Sequence, residues 1–194
     1  MIPGVSEHSI AISPIGEFDR AMVEALCETV NQTFGIPTKV HVILDDILFA
    51  WNPERRQYHS TPVLEKLSEG APSWAVKVAA LVKIDLYIPI LTYVYGEAQL
   101  KGRACIVSTY RLSEGLSPLS TETAFQTRVA KEIIHELGHT FNLRHCNDPA
   151  CIMHYCRTES DVDRKSEKLC RYCKVLLSDE FKRMGRQPVS GPKK

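Results

Sequence analysis

The stretch from Thr123 to His145 constrains this chain more than any other. Phe125, Val129, Ile133 and Leu137 recur every four residues, with Ala130, Ile134 and Phe141 flanking them. Each helical residue advances by about 100°, so these side chains form one stripe, and His135 and His139 fall on nearly the opposite face. Thr123 followed three residues later by Gln126 fits a capping box, which places the start of a helix at Thr123. The segment therefore calls for a long helix with a buried back and a front that offers two imidazoles to a cleft.

Residues four apart on a helix stack one turn above the other. Two imidazole nitrogens can then reach one zinc ion at about 2.0–2.1 Å. Glu136 follows the first histidine directly, close enough to such a metal to take a proton from its bound water without being a ligand. Read alone, this His-Glu-x-x-His pattern is also compatible with an ordinary helix surface. His145 shifts the balance. It lies six residues after His139, where a straight helix would carry it away, so the chain must turn sharply between them. Asn142 stands where the turn is needed, and asparagine tolerates the left-handed conformation better than other non-glycine residues. We therefore assign His135, His139 and His145 as ligands of a catalytic zinc and Glu136 as the general base.

The rest of the chain supplies a scaffold. Its 194 residues are enough for one domain with a real core, or for a domain with a small lobe. Ser9-Ile10-Ala11-Ile12 reads as a short strand closed by Pro14 and Gly16, and Phe18 to Phe34 as a helix stopped by Gly35. Val40-His41-Val42-Ile43-Leu44 has the β-branched character of a strand buried on both faces. A polar loop containing Arg55 and Arg56, a basic pair expected to be solvated, leads to a short helix near Pro62 to Ser68. Ile84–Ile90, Thr92–Tyr95 and Ala104–Ser108 complete the strand candidates, with Tyr93 and Tyr95 alternating along the second and able to line a cleft. The expected fold is α+β, a mixed sheet of about five strands packed on helices.

Composition changes after His145. Five of the seven cysteines fall between Cys146 and Cys173, in a polar, irregular run with little material for a core. We divide the chain into a catalytic subdomain at 1–145, a cysteine-rich subdomain at 146–186 and a disordered tail at 187–194. Cys146 and Cys151 form one close pair and Cys170 and Cys173 another, with eighteen residues between the pairs. That spacing suits a tetrahedral structural zinc, with buried reduced thiols as the other reading and Cys156 as a fifth candidate ligand. Cys27 and Cys105 fall in a helix and a strand and read as core residues.

Two resemblances follow from these residues. His135-Glu136-Leu137-Gly138-His139-Thr140-Phe141-Asn142-Leu143-Arg144-His145 resembles the elongated zinc signature of the metzincin peptidases, departing from it at Asn142, where the pattern has Gly. The run from His145-Cys146 through Cys151-Ile152-Met153 to Cys170-Arg171-Tyr172-Cys173 resembles the archaemetzincins within that clan. The resemblance spans residues 135–173. It implies a metzincin-like zincin fold and a catalytic zinc on His135, His139 and His145. It also implies a second zinc on Cys146, Cys151, Cys170 and Cys173, stapling a small C-terminal lobe, in an intracellular protein of archaeal type. Met153 would occupy the methionine turn beneath the zinc, an ordinary core methionine being the alternative. Met153-His154-Tyr155 is similar to the Met-His-Tyr turn of astacin-like metzincins, where the tyrosine can approach the metal. Tyr155 is thus a candidate for contact with the zinc or the oxyanion, and packing is its other reading.

The functional expectation is a zinc-dependent peptidase that hydrolyses peptide bonds through a zinc-bound water activated by Glu136. The competing class is a zinc-stabilised module that binds peptides or proteins with little cleavage. A net charge of +1 gives no field that would gather nucleic acid or anionic lipid. No run of about 18 apolar residues is present to span a membrane. The amino terminus lacks the charged-then-apolar pattern of a secretory signal, and seven cysteines without one read as reduced thiols or metal ligands. We expect a cytoplasmic monomer with two zinc ions and a peptide or protein substrate.

Overall fold

A computed structural model of the chain describes residues 8–116 and 122–186. The first strand, β1 (Ser9–Pro14), leads into helix α1 (Arg20–Phe34). Asp19 caps the start of α1 by accepting from the Met22 N–H, and Gly35 ends it in the left-handed conformation at φ 61°. β2 (Thr38–Val40) follows, then the short hairpin of β3 (Trp51–Asn52) and β4 (Gln57–His59), which runs straight into α2 (Ser60–Gly70). Next come β5 (Ala75–Val82), β6 (Leu86–Tyr87), β7 (Gly96–Ala98) and β8 (Ala104–Ser108). Three helices complete the described chain: α3 (Glu122–Thr140), α4 (Glu159–Arg164) and α5 (Arg171–Arg183).

The main sheet has the order β2-β1-β5-β8-β7. Its first four strands are parallel and β7 runs antiparallel to β8, so the expected mixed five-stranded sheet is present. Along each inner strand, alternate residues serve opposite faces. Ala11, Val78, Ala80, Ala104 and Ile106 pack with Val63, Leu64 and Leu67 of α2. Ile10, Ile12, Ala79, Leu81, Cys105 and Val107 face the opposite way, into a larger core shared with α1, α3 and α5. Phe141 packs against Phe34 at 5.1 Å and Phe181 at 5.3 Å between ring centroids, joining those three helices. Each such buried aromatic contributes about 1.5–3 kcal/mol by leaving water.

Several expectations change. Val40–Leu44 is not a strand buried on both faces. β2 is an edge strand that stops at Val40, and Val40 and Val42 are exposed. The strand expected at Ile84–Ile90 shrinks to β6, because Pro89 has no N–H for a ladder and the chain turns there, Leu91 N–H bonding back to Ile88. Thr92–Tyr95 keeps one isolated bridge, Leu86 to Val94, and the strand forms one residue later as β7. The central strand β5 is absent from the strand expectations altogether. Arg55 is not merely solvated: it donates to the carbonyls of Leu91 and Thr92 and lies over the Tyr87 ring at 4.2 Å. The tail expected at 187–194 lies outside the described residues. Among the described residues no helix is long and apolar enough to cross a membrane.

Candidate metal centre

Helix α3 behaves as its pattern requires, with Val129, Ile133, Ile134 and Leu137 in the core. It is already helical at Glu122, so Thr123 is a helical residue and not the cap; Gln126 donates to the Glu122 side chain instead. At the far end Asn142 adopts φ 65°. The Asn142 N–H bonds to the His139 carbonyl and the Leu143 N–H to the Gly138 carbonyl, the hydrogen-bond pattern of a Schellman turn. Buried Lys77, from β5, donates to the carbonyls of Thr140 and Gly102 at 2.7 Å each and so closes the helix end.

This turn brings the third histidine back. The rings of His135, His139 and His145 lie 4.7–5.3 Å apart between centroids. His135 donates from Nδ1 to the Ile152 carbonyl at 2.8 Å, and His139 from Nδ1 to the Leu143 carbonyl at 2.7 Å. A carbonyl can only accept, so each Nδ1 carries the proton and each Nε2 keeps its lone pair. Those two Nε2 atoms face one another at 3.1 Å. Two lone pairs so placed repel unless a cation lies between them, and ligands of one tetrahedral zinc sit about 3.3 Å apart. The triad's donor atoms all fall within 4.8 Å of one another, so these residues fit a zinc ion.

The electrostatics agree. Burial first, then the nearby Lys165 charge, pushes the His135 imidazole well below its usual range; His145 shifts the same way. Burial brings His139 down to about 4. Neutral imidazoles are what a metal requires. Glu136 is buried beside them in a cavity of about 380 Å³ that His135, His139, His145 and Tyr155 also line. Burial pushes its carboxyl well above the ordinary carboxylate range, and Glu132 adds to the rise while Lys165 opposes it.

Two glycines make the site possible, and neither was singled out from the sequence. A Cβ on Gly96 of β7 would come within 2.7 Å of Glu136 Cγ and 2.8 Å of the Ile106 carbonyl. A Cβ on Gly138 would sit 2.5 Å from the sulfur of Met153. Met153 is fully buried beneath α3, next to the Ile152 carbonyl that orients His135. Tyr155 is half-exposed, with its ring 5.0 Å from that of His145. Tyr93 and Tyr95 line the same cavity from a loop rather than a strand, and Tyr93 donates to the Arg157 carbonyl.

The second expected cluster also assembles. The Sγ atoms of Cys146, Cys151, Cys170 and Cys173 lie within 4.8 Å of one another. Cys146 and Cys170 are 3.8 Å apart at sulfur, the separation expected of thiolates about 2.3 Å from one tetrahedral zinc. The Cys173 N–H at the start of α5 donates to Cys170 Sγ and holds that thiol below its usual pKa. Cys156 does not join this group. It lines the histidine cavity, where burial pushes its thiol up to about 11. All seven cysteines are free thiols. Cys146 N–H donates to the Met153 carbonyl and His154 to the Cys146 carbonyl, so the cluster and the methionine turn share backbone bonds.

Comparison with known proteins gives the family. The family model described as Peptidase family M54 matches residues 20–179. The archaemetzincin of Halobacterium salinarum is 33% identical over 168 residues, covering 84% of this chain and 96% of the relative. The archaemetzincin of Methanopyrus kandleri is 40% identical over 136 residues, 70% of this chain and 74% of that one. The crystal structure of archaemetzincin from Methanopyrus kandleri superposes with a TM-score of 0.79 at 32% identity, covering 94% of this chain and 99% of its own. That of Archaeoglobus fulgidus archaemetzincin, complexed with malonate, gives 0.74 at 30% identity, covering 87% and 99%.

Proposed function

The chain belongs to peptidase family M54, the archaemetzincin family of zinc metallopeptidases, and from that premise we propose how its own residues divide the work. His135, His139 and His145 hold the catalytic zinc, and Cys146, Cys151, Cys170 and Cys173 hold a second, structural one. The observation that carries the reading is the pair of Nε2 atoms turned toward each other at 3.1 Å while backbone carbonyls take the Nδ1 protons.

When bound, zinc polarises the scissile carbonyl and makes water acidic near neutral pH. Glu136 is the proton carrier. Its carboxylate, held against Gly96 and shielded by burial, takes the proton of the attacking water and passes it to the leaving amine. Its raised pKa suits the first step, since a poorly solvated carboxylate takes up a proton readily, and the proton then goes to the amine as it leaves. The substrate is a peptide or protein, and we place its backbone along the free edge of β7, whose Gly96 and Ala98 line the cavity. Tyr155, beside His145, is placed to contact the metal or donate to the oxyanion. Seven cysteines with no disulfide among them favour a reducing, cytoplasmic setting.

The test is one preparation assayed twice. Metal analysis should return two zinc ions per chain, and a diverse peptide library should be cleaved by the wild type and not by Glu136→Ala. Cleavage that survives in Glu136→Ala removes the base assignment. A Cys151→Ser protein that keeps two tightly held zinc ions removes the structural site. Tyr155→Phe with unchanged turnover removes the tyrosine role.

A further inference from the structure

The wall of the cavity includes a carboxylate, Glu132, that this chemistry does not use and that is paired from behind by a buried lysine. Glu132 lies on α3 one turn before Glu136, is only 4% exposed, and lines the cavity. Its Oε1 accepts from Lys165 Nζ at 2.7 Å, and the Lys165 side chain is fully buried. Its Oε2 has no hydrogen-bond partner among the described residues, and it is not one of the sealed, orphaned polar atoms of the interior. Two neighbouring cations on the same helix behave differently. Arg128 spends its hydrogens on Asp163 and the carbonyls of Leu112 and Glu114, and Lys131 on the carbonyls of Val162 and Asp163. Those two contacts fasten the α4 segment to α3. Glu132 differs in that it lines the cavity and keeps one carboxylate oxygen without a protein partner among the described residues.

Charge balance indicates what that acceptor suits. Lys165 already neutralises Glu132, and Glu136, the other carboxylate lining the cavity, is the one assigned to the proton transfer. The Cys156 thiol beside the pair stays uncharged, and Arg157, exposed at the rim, adds positive charge. A substrate ammonium would put a second cation on one carboxylate in a poorly solvated place. A purely apolar side chain would cover the oxygen and leave it without a partner. A neutral donor avoids both costs.

We propose that Glu132 is a specificity-determining residue, whose Oε2 accepts a hydrogen bond from a neutral donor, an amide or hydroxyl, on the substrate side chain next to the scissile bond. The proposal rests on the metallopeptidase reading for its substrate, but its test reads binding. Three peptidyl hydroxamates, whose metal-binding head fixes the register, would differ only in the adjacent side chain: Gln, Leu or Lys. Calorimetry on the zinc-loaded protein should give the Gln form roughly ten- to hundredfold tighter binding than the Leu form, the range of a hydrogen bond to a charged group, and no gain for Lys. The double variant Glu132→Leu/Lys165→Met replaces the buried pair by apolar groups of similar size, a change that buried ion pairs generally tolerate. It should reverse the order, Leu over Gln. Equal affinity for Gln and Leu, a preference for Lys, failure of all three to bind, or an unchanged order in the double variant each overturns the proposal. Amide-selective binding by a protein that cleaves no peptide would instead remove the peptidase reading and leave the pocket standing.

Discussion

Gly138→Ala tests whether the methionine turn sets the metal site or merely fills space. The new Cβ would stand 2.5 Å from Met153 Sδ and 3.0 Å from its Cε, where ordinary contact needs about 3.5–4.0 Å. Met153 is fully buried, so its sulfur has little room to retreat, and Leu143 Cδ1 also stands 3.6 Å from the new Cβ. Overpacking of this kind costs about 1–3 kcal/mol. The helix gains back about 1 kcal/mol when alanine replaces glycine. Net stability should fall by no more than about 2 kcal/mol, a drop in Tm of roughly 4–8 °C for a chain of this size. The metal should suffer more. Ile152, the residue before Met153, holds His135 Nδ1, and displacing such an orienting partner typically lowers metal affinity ten- to hundredfold. Calorimetry gives the first quantity and competition with a chelator the second. Wild-type zinc affinity in a variant that has lost stability would refute the coupling between Met153 and His135.

Gly96→Ala should leave zinc content unchanged while kcat/KM falls tenfold or more, because its Cβ meets Glu136 and no metal ligand; the order of magnitude is that of a displaced catalytic group. Unchanged turnover would show that Glu136 is not held where the mechanism needs it. Asn142→Ala should cost about 1–2 kcal/mol in urea denaturation, since φ 65° is strained for a Cβ-bearing residue, while Asn142→Gly stays close to wild type. Equal losses would place the effect in the Asn142 side chain instead. The metal-free protein should lose stability as the pH falls from about 6.5 to about 4. His139 holds its folded pKa at about 4, so over that window the unfolded chain takes up a proton that the folded one refuses, a loss on the order of 3 kcal/mol. Urea midpoints that stay level across this range contradict the assignment.

The candidate metal centre was legible because its parts are local. His135 and His139 lie on one helix, Asn142 ends it, and the strain-tolerant residue needed at φ 65° is visible in the sequence. The four clustered cysteines are legible for the same reason, each pair being close along the chain. The strands were read less well. Ala75–Val82 is the central strand, yet its three valines are interrupted by three alanines and a lysine, residues depleted in strands, which dilutes the signal. Its alternation is tertiary in origin: Ala79 and Leu81 face α1 and α3, while Val78 and Ala80 face α2. Val40–Leu44 misleads in the opposite sense, β-branched but at a sheet edge with one partner.

What lay outside the sequence's reach is chiefly backbone and long-range charge. The groups that orient His135 and His139 are the carbonyls of Ile152 and Leu143, which any side chain at those positions would supply. Their placement depends on Gly138 admitting Met153 and on Lys77 closing the end of α3, contacts between residues far apart in the chain. Glu132 and Lys165 stand 33 positions apart in the chain, and only the fold brings them together at 2.7 Å. The chain thus declares its ligands openly and hides what aims them. For that reason a variant that keeps all three histidines and Glu136 but loses Gly138, Gly96 or Lys77 would still carry the full sequence signature of the site. If the carbonyls and close approaches aim the ligands as the geometry indicates, such a variant binds or turns over poorly despite that signature.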